Sequence, residues 1–256
     1  TLDSLISGKK NKEMEGNMDI IFGELNDVSS STISFTVGKS NIIRDCSKNV
    51  TFGTENEVNT SEDTLINGKD NTVTDVNQST TLGINNTVHT NTTASLISGS
   101  DNNESNGKNN AIFGKNNQSI DNEQILGNGK NNIINTVKNS IISGKNNNVT
   151  SSNDSSIQGI TNTIDQINYS IVTGSTNNIT NLTNSTITGQ SQVINNGTNI
   201  TVLGNENAIT DEISSLISGN VNIVKNGENN TIFGTENELD NNCLLYTSPS
   251  PRDSWA

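Results

Sequence analysis

A glycine recurs every fifteen residues for almost the whole length of this chain, and few folds can carry such a period. The series runs from Gly8 to Gly83 and from Gly99 to Gly234, with one step of sixteen between Gly83 and Gly99. Sixteen of the 21 glycines fall on it. A fixed period of this size marks a solenoid, in which each repeat buries its apolar residues only by stacking on its neighbours. Composition then has to be read through the repeat. Only 29% of residues are apolar and 3% aromatic, which in an aperiodic chain would signal disorder. Here the regularity offers the backbone a partner at every coil instead.

Other columns keep step with the glycine. Two residues before it stands Ile, Val or Thr, as at Ile6, Ile66, Ile142, Val172 and Ile232, with Gly127 the break. Three residues after it stands Asn, from Asn11 to Asn237, with Gln192 the exception. Five residues after it comes Val or Ile in most coils (Val28, Val73, Val149, Ile179, Ile209), interrupted by Glu13, Glu104 and Ser119. Ser or Asn lies four before it, as at Ser4, Asn49, Ser140 and Ser215. Within each motif the alternation has period two, the signature of strands. β-Branched residues, Asn and a glycine in every coil all oppose long helices.

The fold expected is therefore all-β. It is a β-solenoid, or β-roll, of about sixteen 15-residue coils with two short parallel sheets, the glycine at a positive-φ corner and the Asn side chains in a ladder. The solenoid should occupy residues 1–242. Residues 243–256 hold both prolines and the only tryptophan and fit neither the period nor the composition, so they are read as a non-repeat, non-native tail. No leader is visible at Thr1, which implies either a removed signal peptide or a fragment. Cys46 and Cys243 would lie roughly 60 Å apart in such a stack, whereas a disulfide needs Cα atoms within about 7 Å. No bridge is expected, and Cys46 should fill a buried corner, as Val76, Val137 and Ile167 do in other coils.

Alternation also sorts the faces. If the residue two before glycine points inward, those three and one before it point outward. These 32 positions contain no charged residue and all five phenylalanines, although the net charge is −13. The outward positions of the other sheet include Lys12, Asp27, Arg44, Glu57, His89, Asp165, Lys225, Glu238 and Asp240. A large uncharged face on an acidic protein marks a binding surface or an assembly surface. The reverse assignment, with Leu and Phe inside, is the competing arrangement. The acidic balance argues against nucleic acid or anionic membranes as partners, and no apolar run is long enough to span a bilayer. His89 has no recurring nucleophile or acid around it, and the carboxylates are scattered rather than laddered. Neither an enzyme nor a metal or cofactor site is expected. Several Asn-x-Ser/Thr triplets, among them Asn49-Val50-Thr51 and Asn178-Ile179-Thr180, would be glycan acceptors in a secreted protein.

Runs such as Ser140-Ile-Ile-Ser-Gly-Lys-Asn-Asn-Asn-Val-Thr150 and Asn230-Thr-Ile-Phe-Gly-Thr-Glu-Asn-Glu-Leu239 resemble the antifreeze and ice-recrystallisation-inhibition proteins of cold-hardy grasses. That family repeats an Asn-x-Val-x-Gly motif twice per coil of a β-roll. The resemblance spans roughly residues 4–240 and implies a secreted protein whose partner is the surface of an ice crystal. It places the ice-binding residues on the uncharged face. They are Leu65, Thr80, Leu96, Ser98, Ile141, Ser143, Ser156, Ile171, Thr173, Thr186, Thr188, Thr201, Leu216, Ser218 and Thr231. Phe22, Phe52, Phe113 and Phe233 depart from a flat surface of that kind. The head domains of bacterial trimeric adhesins share Ser-hydrophobic-x-x-Gly coils, and there the same face would pack inward between chains. Ser7, Asn67, Ser98, Asn128 and Ser143 oppose that interior. An adhesive or self-assembling structural role, through a homodimer for example, is the alternative.

Overall fold

The computed structural model describes residues 4–45, 47–59, 62–75, 77–89, 92–210, 213–236, 238 and 244–247. Cys46, Val76, Asn237, Leu239, Asp240 and Cys243 lie outside them. The chain is all-β and helix-free among the described residues, and it divides into two compact units, Thr1–Ile134 and Asn135–Ala256. Both are parallel β-solenoids with the same coil.

In each coil a longer strand carries the glycine and a shorter one follows it. The first unit stacks longer strands from Leu5–Lys9 and Ile20–Glu24 to Ala111–Lys115 and Leu126–Lys130. The second runs from Ile141–Lys145 and Ser156–Ile160 to Asn229–Thr235. All pair in parallel at one-coil offsets, so Ile6 sits on Ile21 and Ile157 on Val172. The shorter strands do the same, with Val28 on Ile43 and Ile164 on Ile179. The one sixteen-residue step leaves both sheets in register: Thr81 still meets Ile97, Val88 still meets Glu104, and the fifteen-residue offset resumes at Thr93 and Lys108. Leu244–Thr247, in the segment set apart by composition, pairs in parallel with Asn229–Ile232 at the same offset.

The two-strand picture needs one addition. Each coil turns at three corners, and the third side is a single residue bridged to its counterpart, as Lys108 is to Glu123 and Asn153 to Asn168. Corner residues take left-handed backbone. The series glycines have φ between 116 and 149°, and non-glycine corners such as Asn116, Asp121 and Gln124 lie near 55°. Asn and Asp tolerate this conformation better than most residues because their short polar side chains hydrogen-bond locally. At the series glycines, space forbids a side chain as well. A β-carbon on Gly159 would overlap the carbonyl oxygen of Gly174 in the next coil.

The columns two before and five after glycine form the core. Ile21, Ile66, Ile97, Ile142, Ile187 and Ile232 are fully buried, as are Val28, Val73, Val149 and Ile179. This excludes the reverse assignment of the longer strand. Corner residues Val137, Ile167 and Leu182 form a third buried column.

The Asn column is a ladder. Asn41 Nδ2 donates to Asn26 Oδ1 (3.0 Å) and to the Gly53 carbonyl (3.0 Å), while the Asn41 backbone N–H also reaches Asn26 Oδ1 (3.2 Å). In the second unit Asn177 makes the same three bonds, to Asn162 Oδ1 at 3.0 and 3.2 Å and to Gly189 O at 3.2 Å. Gln192 keeps the ladder running. Its backbone N–H reaches Asn177 Oδ1 (3.1 Å), its Nε2 donates to Gly204 O, and its Oε1 accepts from Asn207 N (3.2 Å). From Asn26 to Asn222 every amide so placed is buried and paired, as a buried polar group must be if it is not to cost stability.

Candidate functional site

The outward positions of the longer strands lie where alternation puts them. In the first unit Leu65, Thr80 and Leu96 are successive neighbours in one rank, and Ser98 stands between Leu82 and Phe113 in the next. In the second unit the ranks are longer. Ile141, Ser156, Ile171, Thr186, Thr201, Leu216 and Thr231 follow one another across seven strands. Ser143, Gln158, Thr173, Thr188, Leu203, Ser218 and Phe233 form the parallel rank two residues away. Thr173, Thr186, Thr188 and Thr201 thus make a contiguous block of hydroxyl and methyl groups.

Exposure follows the same order. Ile141 (45%), Ile171 (50%), Leu216 (37%), Leu65 (37%) and Thr188 stand in solvent, while Thr80, Leu96, Ser98, Ser143, Ser156, Thr173, Thr186, Thr201, Ser218 and Thr231 are half-buried by their neighbours in the rank. The inward residues between the ranks, such as Ile187 and Val202, are fully buried. Ser7, Asn67 and Asn128 are exposed and Ser98 and Ser143 half-exposed, so in this chain they face outward.

The two units differ in a way that the outward pairs alone do not reveal. Each longer strand runs on to the residue after its glycine. In the first unit that row carries Lys9, Glu24, Lys39, Lys69, Lys115 and Lys130, and Lys9 and Glu24 face each other at 3.8 Å. In the second unit it begins with Lys145 and continues Ile160, Ser175, Gln190, Asn205, Asn220, Thr235. Asn205 and Asn220 are fixed there by accepting backbone N–H groups from the preceding coil (3.1 and 3.0 Å). From Ser156 onward the longer strands of the second unit are therefore uncharged from edge to edge, through Thr235. The signal was legible as the dipeptide Gly-Lys, which ends at Gly144-Lys145.

Aromatic residues divide the units too. Phe22, Phe35, Phe52 and Phe113 lie in the first, where the Phe35 and Phe52 rings meet edge to face with centroids 5.4 Å apart. Phe233 is the one phenylalanine of the second unit, which also has Tyr169, 65% exposed. On its other sheet Asp165 is an exposed charge within a shorter strand, Lys225 follows the strand Ile223–Val224, and Glu238 is bridged to Ile223; both are exposed. In the first unit His89 is exposed at the end of such a strand.

Two carboxyl groups lie inside the first unit. Glu104 interrupts the apolar core and is fully buried, and Asn110 Nδ2 donates to its Oε1 at 2.7 Å. Burial pushes its carboxyl above the usual range, against the opposing pull of Asn110 and the Ser95 hydroxyl. Asp19, four residues before Gly23, is also fully buried. Desolvation and the nearby Glu13 carboxylate push it up to about 6, while the Ser34 N–H draws it down but falls short of hydrogen-bond geometry. Among the described residues no three His, Cys, Asp or Glu side chains gather, and no helix is long and apolar enough to cross a membrane.

Comparison of the chain with models of known families and with curated proteins gave no match.

Proposed function

We propose that the face of the second unit binds ice, and that the protein restrains crystal growth outside the cell as a binding protein rather than an enzyme. The observation that carries this reading is the pair of seven-residue ranks without a charge, continued by the uncharged row from Ile160 to Thr235. Strand spacing of about 4.7–4.9 Å and the i, i+2 repeat of about 6.6–6.8 Å set a two-dimensional lattice on such a face. Methyl and hydroxyl groups on that lattice can order surface water, whereas charged groups would hold hydration shells of their own. The Asn ladder behind the face holds it rigid, so little entropy is lost on docking to a solid.

Ice grown slowly in a solution of the whole chain tests the proposal. The expected result is faceted crystals and slowed coarsening of ice grains. Round discs with unchanged coarsening would overturn it.

A second reading has support in the first unit. The Phe35–Phe52 contact and the exposed Leu65 make that face bulkier and more apolar, which suits a protein interface of an adhesive or self-assembling solenoid. Sedimentation of the whole chain separates the readings, because assembly through this face gives dimers or larger species.

A further inference from the structure

The core of the first unit is interrupted twice by the same local arrangement: a Glu five residues after the series glycine, a second glycine three further on, and a polar residue three beyond that. At Glu104-x-x-Gly107-x-x-Asn110 the arrangement is self-sufficient. Gly107 lacks the side chain that would collide with Glu104, and Asn110 donates to the carboxylate at 2.7 Å. At Glu13-x-x-Gly16-x-x-Asp19 the amide is replaced by a second carboxylate, which has no hydrogen to donate. A β-carbon on Gly16 would collide with Asp19 Oδ2 and lie 2.9 Å from Glu13 Oε1, so both carboxylates border the space this glycine leaves.

Hydroxyl groups belong to the same corner column and to the preceding strand. Ser4 Oγ donates to Glu13 Oε1 at 2.7 Å. Asp19 is fully buried, and neither of its oxygens has a hydrogen-bond partner among the described residues. Ser31, which occupies in the next coil the corner position of Gly16, is 2% exposed, and its hydroxyl has no hydrogen-bond partner among the described residues. Asp19 thus holds two unused buried oxygens beside the Glu13 carboxylate, an arrangement that a bound cation would compensate. Oxygen-only donor sets of this kind suit hard divalent cations, which favour carboxylate and hydroxyl ligands over nitrogen or sulfur.

We propose that the Gly16 corner binds a hard divalent cation, with the carboxylates of Glu13 and Asp19 as its ligands and the Ser4 and Ser31 hydroxyls beside it. Calcium is the probe. The site would pin the first coils together, since Glu13 and Ser4 belong to one coil and Asp19 and Ser31 to the next. The two acids stand six residues apart in sequence, and only the corner between coils joins them, so no metal-ligand spacing betrays them.

Thermal unfolding and calorimetric titration of the whole chain at pH 7.5, in calcium chloride or EDTA, provide the test. Calcium should raise the unfolding midpoint of the first transition by about 5 °C at saturating concentration and give a one-site binding isotherm. Asp19→Asn recreates the Glu104–Asn110 arrangement, so it should fold and lose the calcium response. Glu13→Gln should lose it as well, and Glu104→Gln should keep it. Binding with unchanged affinity in both Asp19→Asn and Glu13→Gln would overturn the assignment. So would a parent chain that ignores calcium, because the two acids would then share a proton instead of a metal.

Discussion

At the scale of single residues, the repeat is enforced by contacts that tolerate little variation. The series glycine is required twice over, by a φ near +130° and by the carbonyl of the next coil lying where a β-carbon would be. The Asn three residues later spends both its donor and its acceptor on adjacent coils, which is why Gln192, one methylene longer, can stand in. Other corners are looser, and three of those placed two residues after the glycine hold β-branched residues, Thr161, Thr176 and Val221. Val221 is β-branched, 39% exposed and held at φ 55°, in the place where other coils have Asn116, Asn131 or Asn146. Left-handed backbone costs such a residue on the order of 1–2 kcal/mol. Val221→Asn should therefore stabilise the second unit by about 1 kcal/mol, seen as a higher denaturant midpoint with unchanged slope. An unchanged or lower midpoint would mean that the valine packs in a way its exposure hides.

At the scale of strands and columns, the sequence predicts more than half of the coil without help. The alternation around Ile142 and Val149 places both columns inside, as found; the structure adds that the Ser/Asn positions four before the glycine are buried beside them. What it leaves out is the third side. Val137 and Ile167, expected at a buried corner, are buried. One bridged residue per coil has no alternation to display, however, and the same column also holds Asn122, Ser152 and Gly107, so it does not read as a side. Polar interruptions of the core were visible as exceptions, but not what compensates them. Glu104 survives because Gly107 makes room and Asn110 supplies a hydrogen bond. Its folded pKa is raised above the unfolded value near 4.5. Protonation therefore favours folding: its contribution is complete below pH 4.5 and is lost as pH rises through the raised folded value. Glu104→Gln should be more stable than the parent at pH 7 and lose that advantage by pH 4, read from urea midpoints at both values. A constant difference across that range would show that the carboxyl titrates normally.

At the scale of the whole molecule, one repeat builds two units with different surfaces. The first carries phenylalanines and a lysine-rich row beside its outward ranks; the second carries Thr, Ser and aliphatic residues with no charge from Ser156 to Thr235 on its longer strands. Ranks of outward residues could be written from the period alone. The division between units rests on the residue after the glycine. Its change from Lys to uncharged residues after Lys145 is in the sequence, but it joins the face only because the longer strands run through the glycine to it. If this face of the second unit meets ice, a charge placed on it should block binding while a charge on the other sheet should not. Thr186 and Thr188 lie in the uncharged ranks, while Thr163 and Thr180 lie on the shorter strands beside Asp165. Each points outward, so lysine there should change stability by no more than about 0.5 kcal/mol. Ice-recrystallisation inhibition is then measured for the four lysine variants, each confirmed as folded by circular dichroism. Thr186→Lys and Thr188→Lys should lose at least about tenfold in activity, an effect of roughly 1.4 kcal/mol on binding, while Thr163→Lys and Thr180→Lys match the parent. The opposite pattern, or an active parent whose four variants are all equally active, would contradict the account.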